Sequence, residues 1–331
     1  MKNFQSLRIV FMGTPEFAVA SLDALVKAGC NIVGVITAPD KAAGRGMQLQ
    51  QSAVKQYAVE NNLRVLQPEK LKNPDFLSEL RYLEADLQIV VAFRMLPEVV
   101  WNMPPMGSVN LHGSLLPQYR GAAPINWAVI NGEKETGVTT FKLKQEIDTG
   151  DILLQESFAI AETDNAGDVH DKMKEIGAQL LVKTIKGLAD GSLQETPQFL
   201  IVSSESSDVS AANSRLTAHD SLLLKHAPKL FTQTCQIDWN KPVDEVYNLI
   251  RGLAPYPTAF TFLKDKKLKV FTAKKVNETP PDLPGKFTTD NKTWLQVACS
   301  NGSISILELQ LEGKKKMDIV SFLRGYHFSG I

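Results

Sequence analysis

The sequence predicts a doubly wound α/β domain on a mostly parallel, Rossmann-like sheet, followed by a small, OB-like β-barrel. Three observations predict this fold. Short apolar segments alternate with amphipathic helical patterns through the first half of the chain. A long helical pattern then ends at Gly191, and a Ser-rich stretch follows it. The last third holds one helical pattern among short β-type segments. We expect a first domain at residues 1–190, a linker at 191–212 and a second domain at 213–331.

The first round of elements begins with a buried strand over Leu7–Met12. The GTPEF turn then leads into a helix, for which we expect Thr14 as N-cap and Pro15 at the first helical position. This turn has one glycine and no P-loop lysine, so Gly13 predicts a tight turn and neither a dinucleotide site nor a P-loop. The next elements are the strand NIVGVIT, the helix SAVKQYAVENN, the strand LRVLQ, the helix NPDFLSELRYLEA and the strand DLQIVVAF.

A second series of strand and helix patterns follows, and after it the sequence has mainly β-type segments. Its elements are the strand SVNLHGS, the helix APINWAVING, the strands GVTTFKL and DILLQESFAI, and the helix AGDVHDKMKEIGAQLLVKTIKGLADG. The C-terminal part holds the helix PVDEVYNLIRGL and the strands TAFTFL, KLKVFTAKKV, TWLQVACS and SISILELQL. Several short strands in succession predict a small barrel.

Charge is distributed unevenly along a chain of zero net charge. From Ala211 onward, 17 Lys and Arg residues face 11 Asp and Glu residues, whereas the preceding part has 19 against 25. The positive charge of the C-terminal part has two equally good explanations: it binds an anionic partner, or its lysines are merely scattered over a solvated surface.

Cysteine usage and the N-terminus indicate a cytoplasmic protein. Cys30, Cys235 and Cys299 are an odd number without CxxC spacing, which argues against a disulfide framework or a zinc site and predicts buried fillers in a reducing compartment. The apolar run in MKNFQSLRIVFMGT is too short for a signal peptide or a membrane span. We therefore expect no metal and no membrane contact.

The segment SVNLHGSLLPQYRGAAP carries the first candidate site. A strand that ends in Asn110-Leu111-His112 directs residues 110 and 112 to one face, at the sheet edge where open α/β sheets bind ligands. The amide of Asn110 and the imidazole of His112 are donors that stabilise a developing oxyanion. A buried Asn–His pair that satisfies loop backbone is the alternative.

The IDTGDIL motif supplies the carboxylates Asp148 and Asp151 between two predicted strands. A carboxylate beside His112 would orient the imidazole and favour its protonated form. Asp148 is the candidate, although an Asx turn ahead of Gly150 explains it equally well at this point.

These motifs occur together in order. The run NLHGSLLPQYRGAAPINWAVINGEKETGVT is followed by IDTGDI, with RIVFMGTPEFAV, APDKAAGRGMQL, IDWNKP and LIRGLAPYP elsewhere. Over nearly its full length the chain thereby resembles the formyltransferases that use 10-formyltetrahydrofolate. The resemblance implies catalytic roles for Asn110, His112 and Asp148, leaving Asp151 as a turn residue. It also places Ser114, Leu115, Leu116 and Pro117 on a folate-contacting loop. In VVAFRMLPEVV the chain departs from the family's tyrosine-glycine step, so we carry over no contacts at Phe93, Arg94 or Met95.

The resemblance implies formyl transfer to the amino group of methionine on initiator tRNA, with folate and this tRNA as partners, no metal and no obligatory protein partner. Formyl transfer to a nucleotide-linked amino sugar and hydrolysis of formyltetrahydrofolate are alternatives within the family. The GRG loop (Ala43–Met47) and the basic C-terminal part favour tRNA. An RNA-binding protein with an inactive catalytic domain is a third alternative, and the presence of Asn110, His112 and Asp148 counts against it.

Two further expectations concern the ligands. Leu115–Pro117 should form a rigid loop against the folate ring system, unless the loop packs only on its own core. Arg45, between Gly44 and Gly46, is a cation on a hinge-like loop that would place the tRNA acceptor end, unless it is a solvated surface residue. The lysines expected to hold the tRNA backbone are Lys264, Lys266, Lys267, Lys269 and Lys314–Lys316.

Overall fold

The structure is a computed structural model that describes residues 3–43, 48–200, 224–276, 278 and 282–328. The chain divides into two compact units. The first comprises Met1–Gly121, Gly137–Phe158 and Asp171–His226, and the second comprises Ala122–Thr136, Ala159–His170 and Ala227–Ile331. The second unit thus includes two segments from within the predicted first domain. The domain limits around the linker stay predictions, since 201–223 lies outside the described residues.

Most predicted elements are present, with bounds close to those expected. As far as α6 the chain forms β1 (Arg8–Gly13), α1 (Glu16–Lys27), β2 (Asn31–Ile36), β3 (Lys41–Ala43), β4 (Gln48–Gln50), α2 (Ala53–Glu60), β5 (Val65–Leu66), α3 (Pro74–Tyr82), β6 (Leu87–Val91), α4 (Glu98–Trp101), β7 (Ser108–His112), β8 (Arg120–Gly121), α5 (Pro124–Ile130), β9 (Glu135–Lys142), β10 (Ile152–Ala159) and α6 (Ala166–Asp190). Beyond α6 it forms β11 (His226–Ala227), α7 (Val243–Leu253), β12 (Ala259–Leu263), β13 (Lys266–Val276), β14 (Phe287–Thr289), β15 (Leu295–Ala298), β16 (Ser303–Leu311), β17 (Met317–Asp318) and α8 (Ile319–Gly325). Short 3-10 turns occupy Phe4–Ser6 and Gln233–Cys235.

The first sheet has the strand order β10-β9-β7-β6-β1-β2-β5. Strands β5, β2, β1, β6 and β7 run parallel, and β9 is antiparallel to β7. Every residue of β6 is buried, as expected for a strand covered on both faces. The chain extends the sheet first to one side of β1 and then, from β6 onward, to the other. The predicted doubly wound, mostly parallel architecture is therefore confirmed.

The N-cap residues of two helices are those that the sequence predicts, and the N-cap of a third helix is not. The side chains of Ser52 and Asn73 accept hydrogen bonds from the first turns of α2 and α3, as their position before the helical pattern predicts. The prediction of Thr14 as N-cap of α1 is wrong. Pro15 holds that position, because its carbonyl oxygen already accepts a bond from the backbone N–H of Ala18 at 3.0 Å.

The second unit contains an antiparallel sheet of order β12-β13-β16-β15-β14, with β17 paired to β16, which forms the predicted barrel as a half-barrel. Helix α7 packs on it through Val246 and Ile250, which share a core with Leu268 and Val270. Helices α4 and α8 and the β3–β4 hairpin were not predicted from the sequence, because they are too short for a periodic pattern to distinguish.

The described residues contain neither a membrane-spanning helix nor a cluster of metal ligands. None of the helices in these ranges is both long enough and apolar enough to span a bilayer. Nor do three or more His, Cys, Asp or Glu side chains come together there in a group that could hold a metal ion. The three cysteines are free and buried, and burial raises the pKa of the thiols of Cys30 and Cys299 to about 11 and about 12. They are inert core residues, as predicted.

Candidate active site

The end of β7 presents alternating side chains to two different environments. Asn110 and His112 share one face of the strand, and Leu111 lies on the other. The side chain of Leu111 packs so close to α6 that a Cβ on Gly177 would lie 2.9 Å from its Cδ2 atom. The glycine in α6 thereby lets the strand sit close to the helix, which fixes the face on which Asn110 and His112 stand.

His112 is held by a loop carbonyl on one side of its ring. Its Nε2 lies 2.9 Å from the carbonyl oxygen of Tyr119, and the ring packs edge-on against Phe141 with centroids 6.4 Å apart. Since a carbonyl oxygen only accepts, Nε2 carries the hydrogen. Nδ1 is consequently the ring nitrogen that can gain or lose a proton.

Asp148 stands opposite that nitrogen. Its Oδ2 atom lies 3.8 Å from His112 Nδ1, beyond direct hydrogen-bond distance, and both side chains are largely buried. The same Oδ2 accepts a hydrogen bond of 2.9 Å from the backbone N–H of Gly121. The carboxylate is thus bound to a distant backbone segment and not, as the turn alternative expects, to its own turn.

Asn110 and Asp151 differ in what surrounds them. Within the described ranges, no residue forms a hydrogen bond to the side chain of Asn110, which is half-buried and therefore has its amide donors available. Asp151 instead forms an ion pair in which both carboxylate oxygens lie 2.8 Å from Nζ of Lys144. The structure therefore brings Asp148, and not Asp151, to His112.

The SLLP loop is tied to its neighbours by hydrogen bonds and is largely buried. Ser114 donates to the carbonyl oxygen of Gln118 at 2.6 Å, and the backbone N–H of Leu116 donates to Thr139 at 3.1 Å. Gln155 donates to the carbonyl oxygen of Leu116 at 2.8 Å. Leu116 is only 1% exposed, and it shares a core with Phe141 and Ile152. Its side chain occupies the core that the alternative interpretation expected, and Leu115 is the half-buried leucine of the pair.

This difference leads to a stability prediction. We expect Leu116→Ala to lower the free energy of unfolding by about 2–5 kcal/mol, because it leaves a cavity in a closed core. The matched change Leu115→Ala should cost clearly less, because that side chain is already partly solvated. Chemical denaturation of both variants measures the difference, and equal losses would contradict the placement of Leu116.

A cleft of about 690 Å³ lies along the same edge of the sheet. Its walls come from the residues that follow β1, β2 and β6, where the connections change side and open α/β sheets bind ligands. The lining residues are Thr14, Pro15, Ala38, Pro39, Lys41, Glu69, Ala92, Phe93 and Arg94.

Two residues of the segment that departs from the family pattern form one wall of this cleft. Arg94 donates to the backbone carbonyl oxygens of Pro68 and Glu69, the latter at 2.8 Å, and its guanidinium lies 5.6 Å from the ring centroid of Phe93. Met95 is largely exposed and does not line the cleft. The segment therefore places an anchored cation in this wall of the cleft.

The predicted tRNA-placing residues Gly44, Arg45 and Gly46 lie outside the described residues, so their role stays a prediction. Strands β3 and β4 on either side pair antiparallel. Just before β3, Asp40 accepts a hydrogen bond of 2.8 Å from Gln67 and forms a partly buried ion pair of 2.5 Å with Lys55. These two partners hold the pKa of the Asp40 carboxyl below its usual range.

The predicted tRNA-binding lysines near the start of β13 and those of the β16–β17 turn lie close together although they are distant in sequence. The backbone N–H of Lys267 donates to the Glu312 carboxylate at 3.1 Å, and the N–H of Glu312 donates to the carbonyl oxygen of Lys267 at 2.9 Å. These bonds join the start of β13 to the β16–β17 turn, which carries Lys314–Lys316. Lys316 is neutralised by Glu308 at 2.9 Å.

Two family models match the chain, one for formyl transferases over residues 7–185 and one for the C-terminal domain of formyl transferases over residues 229–327. The chain belongs to the formyl transferase family. It is 50% identical to a methionyl-tRNA formyltransferase of Bacteroides fragilis, over 98% of this chain and 97% of that protein. It is 53% identical to a methionyl-tRNA formyltransferase of Parabacteroides distasonis, over 97% and 96%.

A solved structure shares the fold at much lower identity. It is that of WlaRD, a sugar 3N-formyl transferase, in the presence of dTDP and 5-N-formyl-THF. The TM-score is 0.63 at 20% identity, and the match covers 93% of this chain and 99% of WlaRD.

Proposed function

We propose that this chain transfers the formyl group of 10-formyltetrahydrofolate to the free α-amino group of methionine on initiator tRNA, giving formylmethionyl-tRNA for translation initiation. The observation that carries this proposal is His112, whose free nitrogen faces Asp148 at the strand end that also bears Asn110. Near-full-length relatives with the same named activity support the choice of substrate. Charged tRNA is made in the cytoplasm, which suits the free, buried cysteines.

The first chemical step is attack by the α-amine on the formyl carbon. An α-amine has an ordinary pKa of about 7.7, so a usable fraction is neutral near pH 7 without a strong base. The attack places negative charge on the formyl oxygen. Donors aimed at that charge lower the barrier. The donors available in this site are the amide of Asn110 and Nδ1 of His112 when that nitrogen carries a proton.

The second step breaks the bond between the formyl carbon and the folate nitrogen. The attacking amine loses one proton and the folate N10 gains one, so no net proton is consumed. His112 can transfer this proton only through Nδ1, because Nε2 is committed to the carbonyl oxygen of Tyr119. Asp148, fixed by the Gly121 N–H, stabilises the imidazolium without itself taking the proton. No step in this sequence requires a metal ion.

The described residues suit a folate. The cleft volume of about 690 Å³ falls within the range of small-molecule sites, and prolines and Phe93 give it apolar walls. The SLLP loop follows β7 and the cleft wall follows β6, and these strands are neighbours in the sheet. We place the folate along this edge, with Leu115 and the loop backbone as the contacts from Ser114–Pro117.

Comparison of acceptors tests the choice of substrate. We expect kcat/KM with initiator methionyl-tRNA to exceed that with a nucleotide-linked amino sugar by several orders of magnitude, with 10-formyltetrahydrofolate as donor in both reactions. A preference for the sugar would contradict the proposal and favour formyl transfer to a nucleotide-linked amino sugar.

We infer that the lysines near the start of β13 and those of the β16–β17 turn bind the tRNA backbone. The triple variant Lys266→Gln, Lys314→Gln, Lys315→Gln removes three exposed charges, and none of the three lysines has an ion pair with a described residue. If each contacts a phosphate, the negative slope of log binding constant against log salt concentration should become shallower by roughly 2–3.

Filter binding of initiator tRNA across a salt series measures that slope. Lys292→Gln, which changes an exposed lysine in the β14–β15 turn, serves as a control for the loss of charge and should alter the slope little. An unchanged slope in the triple variant would leave these lysines as solvated surface residues.

A further inference from the structure

Gln198 comes from a stretch that the sequence assigns to the linker, yet it is only 3% exposed. Its side-chain nitrogen donates two hydrogen bonds, to the backbone carbonyl oxygens of Asp148 at 2.9 Å and Gly150 at 2.8 Å. Its Oε1 atom accepts from both Nε and Nη2 of Arg120, at 3.0 and 2.5 Å. Every hydrogen-bonding group of this amide is therefore used within the first unit.

Gln198 bonds to the backbone of a turn that has a less common conformation. Asp148 has φ of +55°, in the left-handed region, which is uncommon outside glycine although Asp enters it more readily than most residues. Both amide hydrogens of Gln198 bond to carbonyl oxygens of this turn. They fix the backbone from which the Asp148 carboxylate projects.

The oxygen of the Gln198 amide bonds to Arg120, which is next to the residue that binds the Asp148 carboxylate. Arg120 precedes Gly121, whose N–H donates to Asp148 Oδ2. The Arg120 guanidinium is itself half-buried, which lowers its pKa, while the charges of Asp148 and Glu146 act in the opposite direction. Gln198 thus ties the turn that bears the carboxylate to the strand that orients it.

We propose that Gln198 is a positioning residue that sets Asp148 against His112 for formyl transfer. This inference rests on the proposed function, since it gives Asp148 its catalytic task. It also assigns a role to the segment after α6, where the sequence alone indicates only a linker. Gln198 touches no reacting atom, so it acts through Asp148 alone.

Two variants of Gln198 separate the contributions of its amide, and a third variant serves as a control. Gln198→Ala removes both halves, and Gln198→Glu keeps an acceptor for Arg120 but loses the donors. Because a displacement of about 1 Å in a catalytic group costs up to about 10²-fold, we expect both to lower kcat by about 10- to 100-fold. The KM values for tRNA and folate should stay within about twofold of wild type. Phe199→Ala, at a neighbour that is 45% exposed, should retain wild-type kcat.

A double-mutant cycle tests whether Gln198 works through Asp148. Once Asp148→Asn is present, adding Gln198→Ala should reduce kcat no further, because the group it positions is already lost. Independent, multiplicative losses would overturn the proposal. Raised KM values with unchanged kcat, or rescue by Gln198→Glu, would overturn it too.

Hydrogen exchange supplies a readout that does not depend on activity. In Gln198→Ala the amide of Gly121 and the segment 144–151 should exchange faster than in wild type, with the melting temperature of the whole protein changing little. Unchanged exchange would contradict the proposal even if kcat fell. If the wild-type enzyme failed to formylate methionyl-tRNA while exchange responded as expected, the proposed function would fail and the placement of Asp148 by Gln198 would stand.

Discussion

His112→Ala is expected to lower kcat for formyl transfer by about 10²- to 10³-fold while leaving the fold and tRNA binding intact. The loss should fall on kcat because the imidazole stabilises charge that exists only in the transition state. Asn110→Ala and Asp148→Ala should each lower kcat strongly for the same reason. Steady-state kinetics with both substrates varied, together with tRNA binding measured separately, check these expectations.

The aspartate pair in the IDTGDIL motif provides the matched control. Asp151→Asn makes the same chemical change as Asp148→Asn three residues away, at a carboxylate that pairs with Lys144. We expect Asp151→Asn to keep near-wild-type kcat and Asp148→Asn to lose most of it. Near-normal turnover in His112→Ala, or equal losses at the two aspartates, would remove these residues from the mechanism.

Gly150→Ala is expected to be among the most damaging single substitutions outside the catalytic residues. A Cβ at this position would lie 1.5 Å from the carbonyl oxygen of Lys142, and backbone atoms cannot move aside as a side chain can. The chain must therefore refold the turn that carries Asp148. We expect a loss of about 4 kcal/mol or more in the free energy of unfolding, or failure to fold.

Thermal and chemical unfolding measure the effect of Gly150→Ala. Gly325→Ala is the control, because a Cβ there meets no atom within 4 Å and should change stability by less than about 1 kcal/mol. A Gly150→Ala protein with wild-type stability and kcat would show that the turn accommodates a side chain, contrary to the geometry.

Much of the first sheet follows from the sequence because its signals are local. Alternating apolar strands and capped helices predict parallel pairing, and the strand end at Asn110 and His112 follows from the two-residue period. The reversal of β9 is not a local property, since it depends on how the chain after α5 returns to the sheet edge.

The contact between His112 and Asp148 is likewise not readable from spacing. It requires the loop between β9 and β10 to bring Asp148 against Gly121. The IDTGDIL motif made Asp148 a candidate but suited a turn residue equally well, and the family resemblance favoured the catalytic role. Gln198 was missed because its Ser-rich surroundings have the composition of a linker. Leu116 was ambiguous, because an apolar residue in a loop suits a ligand wall and a core equally well.

Single-turnover formyl transfer, with the enzyme in excess over initiator methionyl-tRNA, tests the central claim most directly. The products are quantified after hydrolysis of the aminoacyl ester, and tetrahydrofolate is measured in the same sample. The account predicts one formylmethionine for each tetrahydrofolate released, with no formation of formate. Release of tetrahydrofolate and formate without formylmethionine would contradict it and identify the enzyme as a hydrolase.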